Sequence, residues 1–198
     1  TVRGPFTSVG FSFRPGTGYA LTREGAASIV DRMVGGETYG WPVERALDIL
    51  DACKSAEEAV QRMEAMARAI IQPETAPRPD PLTAQFEMIA LTNPAMSVAE
   101  AAEQCGADKR RLERVVLRDF GMSPKQVLRR ARALDMAAYL RGVADAEEGD
   151  ALVLRYYDQS HLIREFSELF GMSPRQFVAR PLPLLTLALE SRQAQRLE

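Results

Sequence analysis

Residues 120–126, Phe-Gly-Met-Ser-Pro-Lys-Gln, return almost unchanged at 170–176 as Phe-Gly-Met-Ser-Pro-Arg-Gln. The match extends upstream at the same offset: Asp108, Leu112 and Arg114 correspond to Asp158, Leu162 and Arg164. A repeated block of this kind is one supersecondary unit used twice. Its residues say what the unit is. Phe-Gly ends a helix, because glycine takes the left-handed conformation past a helix C-terminus at no steric cost. Ser-Pro-x-Gln starts the next one: serine caps, proline sits at the first helical position, and glutamine reaches back to the serine amide. The heptad is punctuation between two helices.

The rest of the chain divides at Gln72–Pro81, where prolines at 73, 77, 79 and 81 exclude regular helix and favour an extended spacer. We take 73–81 as a linker between an N-terminal region, 1–72, and a helical domain, 82–180, with a tail at 181–198. Upstream, the pattern predicts a short strand over Val9–Phe13 and a helix from Thr22 to about Met33. A helix beginning at Pro42 and one capped by Ser55-x-x-Glu58 follow. A lone strand needs partners, so this region reads as part of a small α/β domain whose remaining strands lie before Thr1 or on another chain. Thr1 stands without an initiator methionine, and the sequence reads as a piece of a longer one.

Downstream the periodicity is helical throughout: Leu82–Thr92, a short Ala-rich helix from the Ser97-x-x-Glu100 capping box to Gly106, Asp108–Phe120, and a longer helix over about 124–140. On the Asp108–Phe120 wheel, Leu112, Val116 and Phe120 share one side with Val115 beside them. Arg110, Arg114 and Arg118 fall on the other. Ala99 and Ala102 are small enough for the preceding helix to cross closely, and Cys105-Gly106-Ala107 supplies the turn. A short helix, a glycine turn and a helix with an apolar back and an arginine front make a helix-turn-helix. Guanidinium groups suit DNA because they meet guanine edges bidentately and neutralise phosphates.

Charge supports this locally rather than globally. The net charge is −2, unsuited to coating nucleic acid without selectivity. From Lys109 to Arg132, however, nine basic residues face only Glu113 and Asp119. Arg129, Arg130 and Arg132 suggest a phosphate-contacting rail on the following helix. The second unit keeps the skeleton, with Leu162, Phe166, Leu169 and Phe170 behind and Ser160, Arg164, Ser167 and Glu168 in front. It is less basic, since Glu168 replaces Arg118, so it is expected to add fewer and more neutral contacts.

Residues 84–180 resemble the DNA-binding domain of the AraC/XylS family of bacterial transcription regulators. The carrying residues are Leu112-Glu113-Arg114, Phe120–Pro124, and above all the run from Tyr156 to Phe166 followed by Phe170–Pro174. The resemblance implies a mainly α fold: tandem helix-turn-helix subdomains joined by one long helix, both recognition helices entering successive major-groove segments of double-stranded DNA. Carried over by position, the base-facing residues are Arg110, Glu113 and Arg114, then Gln159, Ser160, Ile163 and Arg164; Lys109, Arg118 and Arg129 join them as DNA-binding candidates. The second unit departs from the pattern at Arg155, where the family has glycine, and at Asp150, where it has an apolar residue. More weakly, Phe13-Arg14-Pro15-Gly16 and the helices after it resemble the end of the family's sensory or dimerisation domain. The resemblance thus implies a small-molecule effector at the N-terminal domain, RNA polymerase and a second copy of the chain as further partners.

No catalytic or metal-binding constellation stands out, and no cofactor is expected. His161, the sole histidine, has no nucleophile or ligand set beside it. Cys53 and Cys105 show no CxxC spacing and read as structural thiols in a reducing cytoplasm. Trp41 reads as local packing, Arg14-Pro15-Gly16 as a strand-ending turn, and Asp145, Glu147, Glu148 and Asp150 as a solvated loop. The leucine-rich tail fits docking on its own domain or on a partner. No apolar run is long enough to span a membrane, and no signal peptide is evident. Two other classes stay open: an interaction or sensor module with a degenerate second unit, and an enzyme such as a DNA-repair methyltransferase fused to a similar domain, which would need a reactive cysteine or a zinc set.

Overall fold

A computed structural model describes residues 9–10, 13–30, 32–72, 74–144 and 159–197. The described residues form α-helices, two 3₁₀ turns and connections, with no strand. The helices are α1 (Thr17–Thr22), α2 (Val43–Asp51), α3 (Ala56–Ile71), α4 (Pro81–Thr92), α5 (Val98–Gln104), α6 (Lys109–Phe120), α7 (Pro124–Leu140), α8 (Gln159–Phe170), α9 (Pro174–Ala179) and α10 (Pro183–Leu197).

Two hydrophobic cores flank the long helix α7. The first gathers Leu82, Phe86 and Ile89 of α4, Ala101 and Ala102 of α5, Leu112, Val115 and Val116 of α6, and Val127, Leu128 and Ala131 from the first half of α7. The second gathers Ala137 and Ala138 from the second half of α7 with Phe166 of α8, Phe177 of α9 and Leu189 of α10. Phe86, Phe166 and Phe177 are fully buried, each contributing about 1.5–3 kcal/mol through the area it removes from water. In the second core the rings of Phe166, Phe170 and Phe177 stand 4.5–5.1 Å apart, within the range where aromatic pairs attract beyond their burial.

The repeated heptad acts as its sequence dictates. Gly121 and Gly171 both take positive φ, +71° and +65°. Ser123 with Gln126, and Ser173 with Gln176, both form complete capping boxes ahead of a first-position proline. Asp108 accepts the Arg111 amide at 2.8 Å to open α6, as expected of an N-cap.

Three expectations need correction. The small α/β domain is not seen: Val9, Gly10 and Phe13 are irregular, and Phe11 and Ser12 lie outside the described residues. Phe13 instead turns its ring toward Trp41, with centroids 6.1 Å apart, which fits the rule that one strand without a ladder has nothing to hold it. The helix expected from Thr22 ends there instead. The Thr22 hydroxyl donates to the Gly18 carbonyl at 2.9 Å and accepts the Glu24 amide at 3.1 Å, so it closes α1 rather than opening a new helix. Finally, Pro81 is not spacer but the first residue of α4, capped by Asp80, which accepts the Leu82 amide at 3.0 Å.

The tail also finds its place. Helix α10 packs on α4 and α7. There Arg192 reaches the buried carboxylate of Asp135 at 2.8 Å. Burial pushes the Arg192 guanidinium below its usual range, and Asp135 opposes that shift. One face of α10 stays open, with Leu184 and Leu187 exposed.

The two punctuation glycines differ in what surrounds them. A Cβ on Gly171 would meet nothing within 4 Å, whereas one on Gly121 would collide with Val30 and stand 2.9 Å from the Ala26 carbonyl carbon. Gly171→Ala should therefore cost only the positive-φ penalty, about 1–2 kcal/mol. Gly121→Ala should add about 1–3 kcal/mol of overpacking. Paired thermal melts will check the order; equal losses would mean that residues 26–30 do not pack on the end of α6.

Candidate nucleic-acid interface

Helices α5 and α6 build the first unit. Ser97 and Glu100 cap α5 reciprocally, at 2.8 Å and 3.2 Å, and the Ser97 side chain and amide hold the exposed Glu100 carboxyl below its ordinary range. The turn that follows places Gly106 at φ +61°. The Ala107 amide returns to Ala102 O at 3.0 Å and the Gly106 amide to Glu103 O at 2.9 Å, closing the end of α5 in the manner of a Schellman motif. Ala101 and Ala102 make the close crossing, while Ala99, expected there, is exposed. Cys105 is buried behind the turn, and burial pushes its thiol up, which suits a packing residue rather than a redox sensor.

Helix α6 divides cleanly. Leu112, Val115 and Val116 are buried; Lys109, Arg110, Arg111, Glu113, Arg114 and Leu117 are exposed. Lys109 and Glu113 form a long, exposed i,i+4 pair at 3.9 Å. The side chains of Arg110, Arg111 and Arg114 have no hydrogen bond or ion pair to another described residue. A turn of guanidinium groups that no described residue neutralises, on a rigid apolar back, is a surface that attracts polyanions.

Arg118 behaves differently. Its guanidinium binds Asp119 through two nitrogens at 2.5 and 2.7 Å, lies 3.8 Å from Asp80, and sits 4.3 Å over the ring of Tyr19. The hydrogen bond to Asp119 raises its pKa further. Asp119 is itself buried and also accepts the Thr83 hydroxyl. Arg118 thus compensates a buried carboxylate at the seam between α6, α4 and α1, and its guanidinium is occupied within the chain.

Arg129 and Arg132 also turn inward rather than forming a rail. Arg132 donates to both oxygens of Glu165 at 3.1 and 3.2 Å and to Pro94 O at 3.1 Å. Arg129 pairs with Glu165 at 3.3 Å and with Glu168. Arg130 is the exposed member of the three. Glu165, missed in the sequence, is buried and ties α8 to α7. The available signal was a carboxylate at a position flanked by Leu162, Phe166 and Leu169, opposite basic residues on the preceding helix. An acid on an apolar face needs a cation.

On α8 the structure exposes Ile163 and Arg164, while Phe166 is buried and Leu169 is exposed rather than part of the apolar back. Gln159 and Ser160 stand in its first turn. The cap Asp158, the residues Arg155 and Asp150 that depart from the pattern and the acidic cluster from Asp145 lie outside the described residues, as does the side chain of His161. Among the described residues no group of three or more His, Cys, Asp or Glu side chains is placed to hold a metal, and no helix is long and apolar enough to cross a membrane.

Residues 101–180 match the model of a family described as "Helix-turn-helix domain". The segment is thus similar to helix-turn-helix domains of the AraC type. No curated protein and no solved structure shows significant similarity to the chain. The match begins inside α5 and ends just after α9, so it covers the second half of α5, the turn, α6, all of α7 and the α8–α9 pair. It associates the segment with DNA binding and transcription regulation.

The Glu165 cluster should be a stability determinant. Glu165→Ala strands the Arg132 guanidinium at a half-buried seam and leaves Arg129 with Glu168 alone. It should cost about 2–3 kcal/mol, below the toll of breaking a fully buried pair because Arg129 retains access to water. Arg129→Ala should cost less than 1 kcal/mol, since Glu165 keeps Arg132. Denaturant titrations of the two variants will read the difference, and similar losses would contradict the unequal burial.

Proposed function

We propose that the chain is a sequence-specific regulator of transcription that binds double-stranded DNA through two recognition helices, α6 and α8, in successive major-groove segments. The observation that carries this reading is the exposed arginine side of α6, unpaired among the described residues and held on a buried apolar back within a helix-turn-helix. Arg110, Glu113 and Arg114 are its base-facing residues, with Lys109 on phosphate. Gln159, Ser160, Ile163 and Arg164 are those of α8. In this reading residues 81–180 form the reading domain and residues 1–72 a sensory or dimerisation region that receives a small-molecule effector, with 73–80 as the spacer between them. Residues 181–198 are a tail that buttresses α7.

The charge placement ranks the contacts. With Arg118 and Arg129 occupied internally, α6 supplies most of the electrostatic affinity through Lys109, Arg110, Arg111 and Arg114, and α8 adds more neutral contacts around Arg164. A second reading, an interaction or sensor module with a degenerate second unit and no specific DNA binding, draws on Arg155 and Asp150, the residues that depart from the family pattern.

Selection from a random duplex library will test the proposal: two reading helices should enrich a bipartite site with its halves one helical turn apart, about 10 base pairs. Enrichment of one half-site alone would leave α6 as the sole base reader, and no enrichment would defeat the regulator and favour the second reading. On the selected site, Arg114→Ala should cost about 1–3 kcal/mol and relax preference at one base pair. Arg129→Ala should leave the dependence of affinity on salt unchanged; a slope reduced by about 1 would place Arg129 on phosphate after all.

A further inference from the structure

Beside α1 lies a cavity of about 460 Å³ lined by Phe13, Leu21, Ile29, Trp41, Ile70 and Ile71. It gathers residues from four separate stretches of the N-terminal region: the segment before α1, α1 with the 3₁₀ turn after it, the loop before α2, and the end of α3. Among the described residues none of the lining side chains is charged. The one hydroxyl among them, on Thr22, is already engaged with the Gly18 carbonyl and the Glu24 amide. The volume falls in the ~300–1,000 Å³ range of small-molecule sites. Walls of this chemistry reward apolar area and would leave any ionised group unpaired.

Helix α1 has two sides. Gly18, Leu21 and Thr22 line the cavity. Tyr19, between them, places its ring under the Arg118 guanidinium of α6, and Gly16 packs against Pro79, Thr83 and Asp119. Immediately beyond α1, Gly25 and Ala26 press on the backbone at Arg118 and Gly121. The helix has six residues, no side-chain cap at its start, and a non-glycine residue, Arg23, in the left-handed conformation at its end. A helix this short does not hold itself; its position is set by what packs on either side.

We propose that this cavity is a binding site for an uncharged, mainly apolar molecule with one to three rings, and that α1 transmits its occupancy to α6. The inference deepens the effector reading above: it gives the effector a site and a chemical class, and it names the route to the DNA-binding helix. A molecule that fills the space behind Leu21 shifts α1, and Tyr19 carries that shift to Arg118 and the last turn of α6. Coupling of this kind is reciprocal, so DNA alters affinity for the small molecule by the same factor.

Trp41, the sole tryptophan of the chain, lines the cavity and reports on it. The probe is N-phenyl-1-naphthylamine, an uncharged aromatic dye that accepts energy from tryptophan. Titrated into the full chain, it should quench Trp41 saturably with one-to-one stoichiometry. Leu21→Phe and Ile70→Phe, made singly so that one suffices if the other unfolds, fill the cavity and should weaken the dye by about tenfold or more. Non-saturable quenching, or undiminished binding in a folded filled variant, overturns the site. On the selected DNA site the dye should shift wild-type affinity by about fivefold or more, and Tyr19→Ala should bind dye normally while abolishing the shift. Dye binding with unchanged DNA affinity overturns the coupling. A chain that binds dye but no DNA refutes the regulator reading and leaves the cavity assignment standing on the Trp41 data.

Discussion

Helix α7 is shared between two hydrophobic cores, and the arrangement of the domain depends on that sharing. Val127, Leu128 and Ala131 belong to the core of the first unit; Ala137 and Ala138 belong to the second. Because both cores include the same rigid rod, α6 and α8 do not sit on independent bodies. The rod's inward faces are rich in alanine, which lets neighbouring helices approach closely. Polar ties then set how they lie: Arg129 and Arg132 to Glu165 on one flank, Asp135 to Arg192 on the other. Buried pairs of this sort add little net stability against an apolar alternative, but each partner strongly disfavours arrangements that would strand the other.

The same logic governs the seam with the N-terminal region. Asp119 is buried at the end of α6 and needs a cation, and Arg118 beside it supplies one. Tyr19, Asp80 and Thr83 complete the cluster from α1, the spacer and α4. An arginine that the wheel places on the exposed stripe is drawn back by a neighbouring carboxylate. The segment before the proline-rich spacer consequently rests on α6, and the spacer separates two regions in sequence that touch in space.

Much of the fold was legible in the chain. The duplicated heptad located two helix junctions and their caps to the residue, because glycine past a C-terminus and Ser-Pro-x-Gln at an N-terminus are local signals that need no tertiary partner. The buried side of α6 followed from its period. The N-terminal region was less legible. Its apparent strand and its helix from Thr22 were short patterns without strong caps, and packing against α6 and Trp41 settled them otherwise. Of the proposed DNA-facing residues, Arg110, Glu113, Arg114, Ile163 and Arg164 are exposed, whereas Arg118 and Arg129 are engaged internally. A helical wheel gives direction but not partner, and it cannot see a carboxylate arriving from another helix.

By itself, then, the order of residues determined where helices begin and end, which side of α6 turns inward, and that one unit is used twice, since all three depend on neighbours within a few positions. Only the tertiary structure decided which arginines stay available to a polyanion, that Glu165 lies inside, that α10 docks on α4 and α7, and that an apolar cavity forms behind α1. Those outcomes require side chains tens of residues apart to meet, and the cost of burying a charge is resolved only when its partner is known.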